Sequence, residues 1–514
     1  MLVDAKKKEL LVLYEIIQSD TCSLQDLSNK LVIPKRTVKD LIRKLNQAIS
    51  QLLEFHSFIY STHKGEIQIN EHYEKTKMQV FYYLKLIFLR ESQRFNYLLL
   101  LMDSPDASIA KEELSQKLYI SSSYLEKLTT RINKDLKKFN LQIISSNNCY
   151  TLSGDELLIR IYIYIFLSDA FQGPEWPFTT IDLATVKQEI TLSDAFQLPF
   201  HSETEQKNIY LLYAVFKLRI KQASFLEPLE NDIQQLLKLL FHTCDLTGSF
   251  KQNMPVELPE KHMENEVFVL NFMILCFFPS WVHVQQKLTI GKCFMQTDHV
   301  FCQFTQKLTV QLAKHFPTID TTEKIAFYHY FITLAFTFVS LLGESIIEFH
   351  TLYFPTVTET VSADDSQVQL ILTEINALCP AKLRSVHVAH YLGSLIYQLI
   401  RSETDTQLLI HLKMTKTLTG NYHLKNRLEK LFNHETVLLT FSPEKADLIV
   451  TDWFEAAQQA IPSFYWNLTN EEVSWQKLVL LIQTLYDKKT QINTTQNLLP
   501  APNNHQKEAP AFIN

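Results

Sequence analysis

Five cationic side chains and one hydroxyl group lie close together near the amino end of the chain. They all fall within ten residues and are Lys35, Arg36, Thr37, Lys39, Arg43 and Lys44. Ammonium and guanidinium groups at this density neutralise phosphate, and an arginine can also make two parallel hydrogen bonds to the edge of a guanine. We therefore expect a surface that contacts nucleic acid, with Arg36 directed at a base. The cations expected to contact phosphate are Lys39, Arg43 and Lys44.

The same stretch of sequence is repeated 87 residues further along the chain. Segment 27–49 aligns without a gap on segment 114–136, with leucine or another apolar residue recurring at the same places. A repeat of this kind indicates two copies of one small module. The second copy has its own candidates for contact with bases or phosphate, namely Ser121, Ser122, Ser123, Tyr124, Lys127, Arg131 and Lys134.

Local patterns in the first copy predict the elements that carry these residues. Ser23 followed by Asp26 resembles a capping box at the start of one short helix, and Pro34 stands where the next helix begins. Apolar residues at helical spacing give each of these helices one buried face. Two β-prone runs within 58–69 flank a turn that contains Lys64, a further candidate for phosphate contact, and they predict a hairpin.

The second copy predicts the same elements in the same order. Its helices are expected near 91–102, 111–118 and 121–138, and its hairpin at 141–152. In the first copy, apolar residues at helical spacing within 6–18 predict the helix that corresponds to 91–102. Three helices and a hairpin in each copy form a winged helix-turn-helix. We therefore predict two such domains in tandem, at 1–70 and 71–154.

The composition favours a chain that is mainly α-helical. Glycine supplies only 8 of the 514 residues, so left-handed turns must be few, and 46% of the residues are hydrophobic. The seven cysteines form no C-x-x-C pair, and we expect them to be reduced in a cytoplasmic protein. The apolar runs 267–282 and 326–342 fall short of the roughly 20 residues that cross a bilayer, so we expect core helices and no membrane contact.

Charge is distributed unevenly along the chain. Residues 1–152 contain 22 lysines and arginines against 17 acidic residues, whereas the remainder contains 27 against 38. Because the basic end coincides with the two repeated modules, these modules are expected to bind a polyanion, and double-stranded DNA fits best. The alternative is that these charges only solvate two surface helices.

Beyond residue 154 the sequence changes to long apolar helices without a basic stripe. Helices such as 296–315 and 322–343 predict two helical bundles, at 155–285 and 286–403. From residue 404 onward, short apolar runs alternate with helices.

This alternation predicts a small parallel α/β domain at 404–487 that ends in a helix at 471–486. Residues 488–514 have an excess of Asn, Gln, Thr and Pro, which predicts a disordered tail.

Two helix-turn-helix modules, two bundles and the junction segment 150–156 (YTLSGDE) together resemble the Mga-type (AtxA-like) family of transcriptional regulators. The resemblance implies that the bundles are similar to PTS regulation domains, in which the phosphocarrier HPr phosphorylates histidines. It also implies that the α/β domain is similar to the EIIB component of sugar phosphotransferase systems. EIIB components of the relevant class carry a phosphorylated Cys directly after the first strand. This chain has no Cys after Cys379, so we expect the domain to dimerise rather than to transfer phosphate.

Histidines are the residues through which such a family member would be regulated. Regulation domains of the antiterminator type place a His seven residues before an Arg on a bundle helix, but Leu212 stands at that distance from Arg219. The remaining candidates for phosphorylation are His201, His299 and His329. A phosphohistidine needs an accessible ring and room for a doubly charged group. A lone His on an apolar helix is more often a core residue.

No Walker loop, dinucleotide-binding glycine motif, H-E-x-x-H or G-x-S-x-G motif occurs in the sequence. We therefore expect a DNA-binding transcriptional regulator, of the activator type, that is not an enzyme and needs neither cofactor nor metal. Its expected partners are double-stranded DNA, RNA polymerase, a second copy of the chain as a homodimer, and HPr or another PTS phosphocarrier. Two alternatives stay open: an RNA-binding antiterminator, which would carry a β-rich RNA domain in place of these modules, and a protein-interaction scaffold without nucleic acid.

Overall fold

Helices predominate in this computed structural model, as the composition predicts. It describes residues 2–496 except for 20, 173–174, 191–202, 249, 254–259, 320, 347, 350–365, 382–383, 404–405, 418, 454–460 and 468. The chain divides into two compact units, the first made of residues 1–286 and 345–355 and the second of residues 287–344 and 356–514. The finer division into five domains and a tail stays a prediction.

The first unit begins with the first of the two repeated modules. Its elements are α1 (Asp4–Gln18), β1 (Cys22–Ser23), α2 (Leu24–Leu31), α3 (Lys35–Leu53), β2 (Ile59–Ser61) and β3 (Glu66–Ile69). The strands pair antiparallel in the order β1-β3-β2. The capping box is confirmed, because the Ser23 hydroxyl accepts from Asp26 N while the Asp26 carboxylate accepts from Ser23 N.

The second module repeats this arrangement. Its elements are α4 (Lys77–Arg90), α5 (Gln93–Met102), β4 (Ser108–Ala110), α6 (Lys111–Leu118), α7 (Ser122–Leu136), β5 (Gln142–Ser146) and β6 (Cys149–Ser153), with strand order β4-β6-β5. The sequence analysis predicted neither α4 nor the short strands β1 and β4. A strand of two or three residues has no periodicity of its own, and α4 has no single apolar stripe because it packs against α1, α5 and α8.

Five helices complete the first unit as far as the structure describes it. They are α8 (Glu156–Phe171), α9 (Leu183–Glu189), α10 (Glu203–Lys221), α11 (Asn231–Thr243) and α12 (Glu260–Phe277). α8 packs against both α4 and α10, and α10 packs against α12, so the second module and the helical part share one core. The sequence predicts helices at 155–171, 204–222, 229–244 and 261–278, which match α8, α10, α11 and α12 within a few residues, but it does not predict α9.

The chain continues into a second group of helices. They are α13 (Val284–Met295), α14 (Val300–His315), α15 (Thr322–Leu342), α16 (Ser366–Leu378) and α17 (Val386–Ser402). The predicted helix at 296–315 was wrong at its start, because His299 caps a helix that begins at Val300 and a separate helix, α13, precedes it. Gly291 allows α13 to approach α15 closely, since a Cβ at this position would lie 2.0 Å from the carbonyl oxygen of Ala326.

One described helix passes the length and hydropathy test for a membrane span. It is the segment Thr322–Ser345, with a mean hydropathy of 1.7, and 67% of its most apolar window is buried inside the protein. Core helices of globular proteins pass the same test.

A parallel sheet and two helices end the described chain. The elements are β7 (Leu408–Lys413), α18 (Gly420–Leu431), β8 (Val437–Leu439), β9 (Leu448–Thr451), β10 (Ser463–Tyr465) and α19 (Glu471–Gln496). The strand order is β10-β9-β7-β8 and every pairing is parallel, which confirms the predicted parallel α/β arrangement.

α19 extends beyond its predicted end at residue 486 and into the segment 488–514 that was expected to be disordered. Lys489 Nζ lies 2.5 Å from Asp447 Oδ2 and 3.0 Å from the carbonyl oxygen of Gln407, so the last turns of α19 are tied to the sheet. Residues 488–496 are therefore helical, which corrects that prediction, and residues 497–514 lie outside the described part of the chain.

Candidate nucleic-acid interface

α3 presents the candidate residues of the first module to solvent. Its start suits the sequence, because Pro34 at the N-cap has φ −57° and lacks only an N–H that the helix would leave unpaired. Val38, Leu41 and Leu45 face the core. The predicted site residues are all exposed: Lys35, Arg36, Thr37, Lys39, Arg43 and Lys44. Lys64 is exposed in the hairpin between β2 and β3.

Few of these cations are neutralised by the protein itself. Arg43 Nη2 lies 3.4 Å from Asp40 Oδ1, and both side chains are largely exposed. No ion pair joins the other cations of this group to a carboxylate within the described chain. Unpaired surface cations remain available to displace counterions from a phosphate backbone. α3 therefore forms a positively charged face, with Arg43 the one predicted cation on it that has a carboxylate partner.

α7 presents the candidates of the second module in a different chemical pattern. Ser121 is the N-cap, and its hydroxyl accepts from Tyr124 N at 3.3 Å. The predicted residues are exposed: Ser121, Ser122, Ser123, Tyr124, Lys127, Arg131 and Lys134. Glu126 stands where the repeat aligns Lys39, and it pairs with Lys111 at 2.5 Å. That hydrogen bond holds the pKa of the Glu126 carboxyl below its ordinary value, so α7 offers hydroxyls at its start and fewer net positive charges than α3.

An asparagine in each module ties the exposed helix to the first strand of its hairpin. Asn46 Nδ2 donates to the carbonyl oxygen of Ile59 at 2.7 Å, while Asn46 Oδ1 accepts from Ile59 N at 2.9 Å. Asn133 makes the same two bonds with Ile143, at 2.9 and 2.6 Å. The sequence analysis missed this role, although the repeat aligns the two asparagines. These paired bonds fix the hairpin relative to the helix that carries the cations.

We predict that Asn46→Ala and Asn133→Ala each lower the stability of their own module by about 1–2 kcal/mol, because two partly buried backbone groups lose their partner. Hydrogen exchange of the full-length protein should show faster exchange in the hairpin of the altered module. Gln47→Ala is the matched control, since Gln47 is the exposed neighbour of Asn46 on the same helix. Equal exchange in Asn46→Ala and Gln47→Ala would contradict the assigned role.

The turn before α3 and the turn before α7 each contain a residue that has a large side chain and adopts the left-handed backbone conformation. Val32 and Tyr119 both have φ 54° and ψ 43° and are 89% and 95% exposed. The gap-free repeat aligns the two residues, but their different chemistry gave no signal in the sequence.

Polar contacts join the second module to the helical part of the first unit. Arg90 forms a two-point ion pair with Glu175, and Lys85 Nζ lies 2.6 Å from Asp169 Oδ1. Gln222 Nε2 donates to the carbonyl oxygen of Ser104 at 2.6 Å. The second module is therefore bonded to the helical part of the first unit and is not a separately tethered domain. Its exposed helix α7 has a fixed position in this unit.

Four buried charges lie beneath this junction. Arg160, which is fully buried, bonds Glu156 Oε1 at 2.8 Å and both carboxylate oxygens of Glu266. Arg219 bonds the same Glu156 carboxylate at 2.9 and 2.7 Å and also bonds Gln222. Burial alone would lower the pKa of Arg160, but the two carboxylates outweigh burial and raise it. Two positive and two negative charges thus balance inside the core.

The structure describes two of the three histidine candidates, His299 and His329. His201 lies outside the described residues. His299 is 8% exposed, and its Nδ1 accepts from Phe301 N as the cap of α14. His329 is 2% exposed, and burial lowers its pKa to about 4. The expectation of an accessible ring therefore does not hold for His299 and His329, because a phosphocarrier could reach them only after the surrounding helices had moved apart.

The loop after β7 is closed by an internal carboxylate. Asp452, fully buried, accepts from the backbone N–H groups of Thr415 and Lys416 at 2.8 Å each, and from the Thr415 hydroxyl at 3.1 Å. Burial would raise the pKa of Asp452, but the hydrogen bonds outweigh burial and lower it. The sequence analysis expected no phosphate transfer at this loop, because no Cys follows Cys379. The backbone N–H groups of Thr415 and Lys416 bind the protein's own Asp452 carboxylate.

A family model matches the second module, and one curated protein matches about half of the chain. A family model described as the Mga helix-turn-helix domain matches residues 79–167, from within α4 to within α8. A curated protein of Streptococcus pneumoniae serotype 4, named "Putative trans-acting regulator", is 24% identical over 285 residues. That alignment covers 54% of this chain and 52% of the relative, so the chain spans about half the length of the curated relative it matches.

Proposed function

The chain belongs to the Mga-type family of regulators, and from this premise we propose that it is a transcriptional regulator that binds duplex DNA. The observation that carries the proposal is the repeated geometry of the two modules. In both modules a helix with an exposed polar face follows a tight turn, and an asparagine holds it against a hairpin. A helix presented in this way fits the major groove.

The proposed architecture follows the sequence analysis. Residues 1–70 and 71–154 are two winged helix-turn-helix domains, two bundles similar to PTS regulation domains follow, and the parallel α/β domain is similar to EIIB. The regulator is an activator that works in the cytoplasm as a homodimer in contact with RNA polymerase. It carries out no chemical reaction of its own.

Each exposed helix has a distinct part in the proposed contact with DNA. The start of a helix in the major groove faces base edges, whereas cations further along and in the hairpin reach the phosphates on either side. Arg36 is placed at the start of α3 to contact a guanine, and Ser122 and Ser123 take the corresponding places on α7. Lys39 and Lys64 are placed to contact phosphate and so to position the module.

A gel-shift comparison tests the proposal. The full-length chain should shift a duplex DNA of mixed sequence at low ionic strength and should leave single-stranded RNA of equal length unbound. A shift of RNA alone would favour an antiterminator, and no shift of either nucleic acid would favour an interaction scaffold.

We predict different outcomes for two neighbouring cations of α3. Lys39→Glu should weaken binding to all duplex sequences by about fivefold to tenfold, because one phosphate contact is lost and a repulsion is added. Arg36→Ala should instead relax the preference at one base position, since a two-point contact with guanine distinguishes bases. Binding selection from a random duplex library measures both effects. A uniform loss for Arg36→Ala would show that this residue contacts only phosphate.

PTS-dependent phosphorylation of a histidine is the proposed regulatory input, with a change in dimerisation or activity as its output. His201 is the first candidate, because His299 and His329 are buried. Incubation of the full-length chain with enzyme I, HPr and phosphoenolpyruvate should add the mass of one phosphate to the peptide that contains His201. An unchanged mass would remove this part of the proposal and leave DNA binding untouched.

A further inference from the structure

The two turns that precede α3 and α7 share a costly backbone geometry. Val32 and Tyr119 both have φ 54° and ψ 43°. The residue after each donates its backbone N–H to a carbonyl oxygen of the preceding helix. Ile33 N lies 3.1 Å from Ser28 O, and Ile120 N lies 3.0 Å from Ser115 O. For a residue with a Cβ this conformation costs roughly 1–2 kcal/mol, and the cost is greatest for β-branched side chains such as valine. Glycine or asparagine would fit these turns with less strain.

Neither side chain gains stability from the fold in return. Val32 is 89% exposed and Tyr119 is 95% exposed, so neither buries apolar surface inside the protein. An apolar side chain that is both strained and exposed, at the same place in two copies of a module, points to a role outside the folded chain. Backbone outliers held by the fold are often found where a ligand binds.

The position of the turns indicates what covers these side chains. Val32 lies three residues before Lys35, and Tyr119 lies three residues before Ser122, a distance that three residues of chain limit to about 10 Å. The turns therefore adjoin the polar and cationic faces that we assign to DNA. A duplex offers apolar surface beside its phosphates, in the methyl group of thymine and in the C–H edges of deoxyribose.

On the basis of the proposed function, we propose that Val32 and Tyr119 are DNA-contacting residues that pack against the apolar surface of duplex DNA at the edge of the major groove. The shared chemistry is a C–H surface, which the thymine methyl group or the sugar can supply. The strained turn aims each side chain away from the protein and toward the duplex.

The test uses the full-length chain with the double substitution Val32→Asn and Tyr119→Asn. Asparagine tolerates the left-handed conformation, so the turns keep their shape while the apolar surface is removed. The variant should be at least as stable as the wild type by thermal unfolding. Its affinity for duplex DNA should nevertheless fall about tenfold, which corresponds to the loss of roughly 60 Å² of buried apolar surface.

Two further variants separate a contact from a structural effect. Val32→Leu with Tyr119→Phe keeps the apolar surface and should bind within about twofold of the wild type. Ala107→Asn is the matched control, since Ala107 has the same φ of 54°. Ala107 precedes α6 in the sequence, whereas Tyr119 follows it. This substitution should leave affinity unchanged.

The outcome distinguishes failure of the inference from failure of the proposed function. If the wild type binds duplex DNA and the double Asn variant binds equally well, the inference is overturned and the proposed function stands. If the wild type binds no duplex, the proposed function itself fails. A duplex with deoxyuridine in place of thymidine identifies the source, because it weakens wild-type binding when the methyl group is contacted and leaves binding unchanged when the sugar is contacted.

Discussion

Arg160→Met is expected to destabilise the first unit by about 3–5 kcal/mol, because it leaves an uncompensated negative charge in the core. In the wild type Arg160 neutralises Glu156 and Glu266 and also donates to the carbonyl oxygen of Ser224 at 2.8 Å. Once the guanidinium is removed, Arg219 still pairs with Glu156, whereas the buried Glu266 carboxylate loses the cation that neutralised it. Hydrogen exchange of the full-length chain should show lost protection in α8, α10 and α12.

Charge balance, rather than volume, is the expected cause of this loss. A second substitution, Glu266→Gln in the Arg160→Met background, removes the excess negative charge and should restore a large part of the stability. Arg94→Met is the matched control, because Arg94 makes an exposed ion pair with Asp135 at 3.4 Å, and exposed pairs of this kind contribute at most about 1 kcal/mol. Equal behaviour of Arg160→Met and Arg94→Met would contradict the role of the buried cluster.

Asp452→Ala is expected to destabilise the α/β part of the second unit by about 2–4 kcal/mol. Two backbone N–H groups and one hydroxyl lose the carboxylate that they share, and each donor left without a partner in a partly buried loop costs about 1–3 kcal/mol. Hydrogen exchange should quicken at Thr415 and Lys416. Asp452→Asn should fall between the alanine variant and the wild type, because the amide keeps only one oxygen.

The stability that the Asp452 carboxylate contributes should depend on pH with a definite sign. The pKa of Asp452 is lower in the folded chain than its ordinary value of 3.8. Its contribution to stability is therefore fully present above that value, and it is lost as pH falls through the lower, folded pKa. Asp487→Ala is the control, since Asp487 is exposed and lies 3.8 Å from Arg401. Equal amide exchange at Thr415 and Lys416 in Asp452→Ala and Asp487→Ala at pH 7 would contradict a stabilising role for the Asp452 carboxylate.

The sequence predicted elements that have a periodicity and missed those that have none. The helices α6 and α7 were predicted within about two residues, and the starts of α2 and α3 were predicted at Ser23 and Pro34, because their apolar faces repeat at helical spacing and their caps are recognisable. β1 is too short to show a pattern, and α4 is apolar on several sides. α19 continues to Gln496 through the contacts of Lys489 with the sheet, which a local window cannot contain.

The sequence predicted correctly which candidate side chains are exposed, but it did not predict the hydrogen bonds that tie the helices to the hairpins. The polar side chains of α3 and α7 are exposed as expected, since charged residues opposite an apolar face must meet solvent. The bonds of Asn46 to Ile59 depend on how the hairpin folds back, and sequence spacing does not give this. The burial of His329 agrees with the expectation that a lone His on an apolar helix is more often a core residue.

Salt dependence of duplex binding by the full-length chain tests the central claim most directly. Eight predicted cations of the two modules have no carboxylate partner among the described residues: Lys35, Arg36, Lys39, Lys44, Lys64, Lys127, Arg131 and Lys134. If most of them contact phosphate, the logarithm of the binding constant should fall linearly with the logarithm of salt concentration, with a slope of about −5 or steeper. A variant with all eight replaced by alanine should lose that slope. The claim would be contradicted if duplex binding by the wild type did not respond to salt. It would also be contradicted if the wild type bound no duplex at roughly 50 mM salt, the low end at which such contacts are strongest.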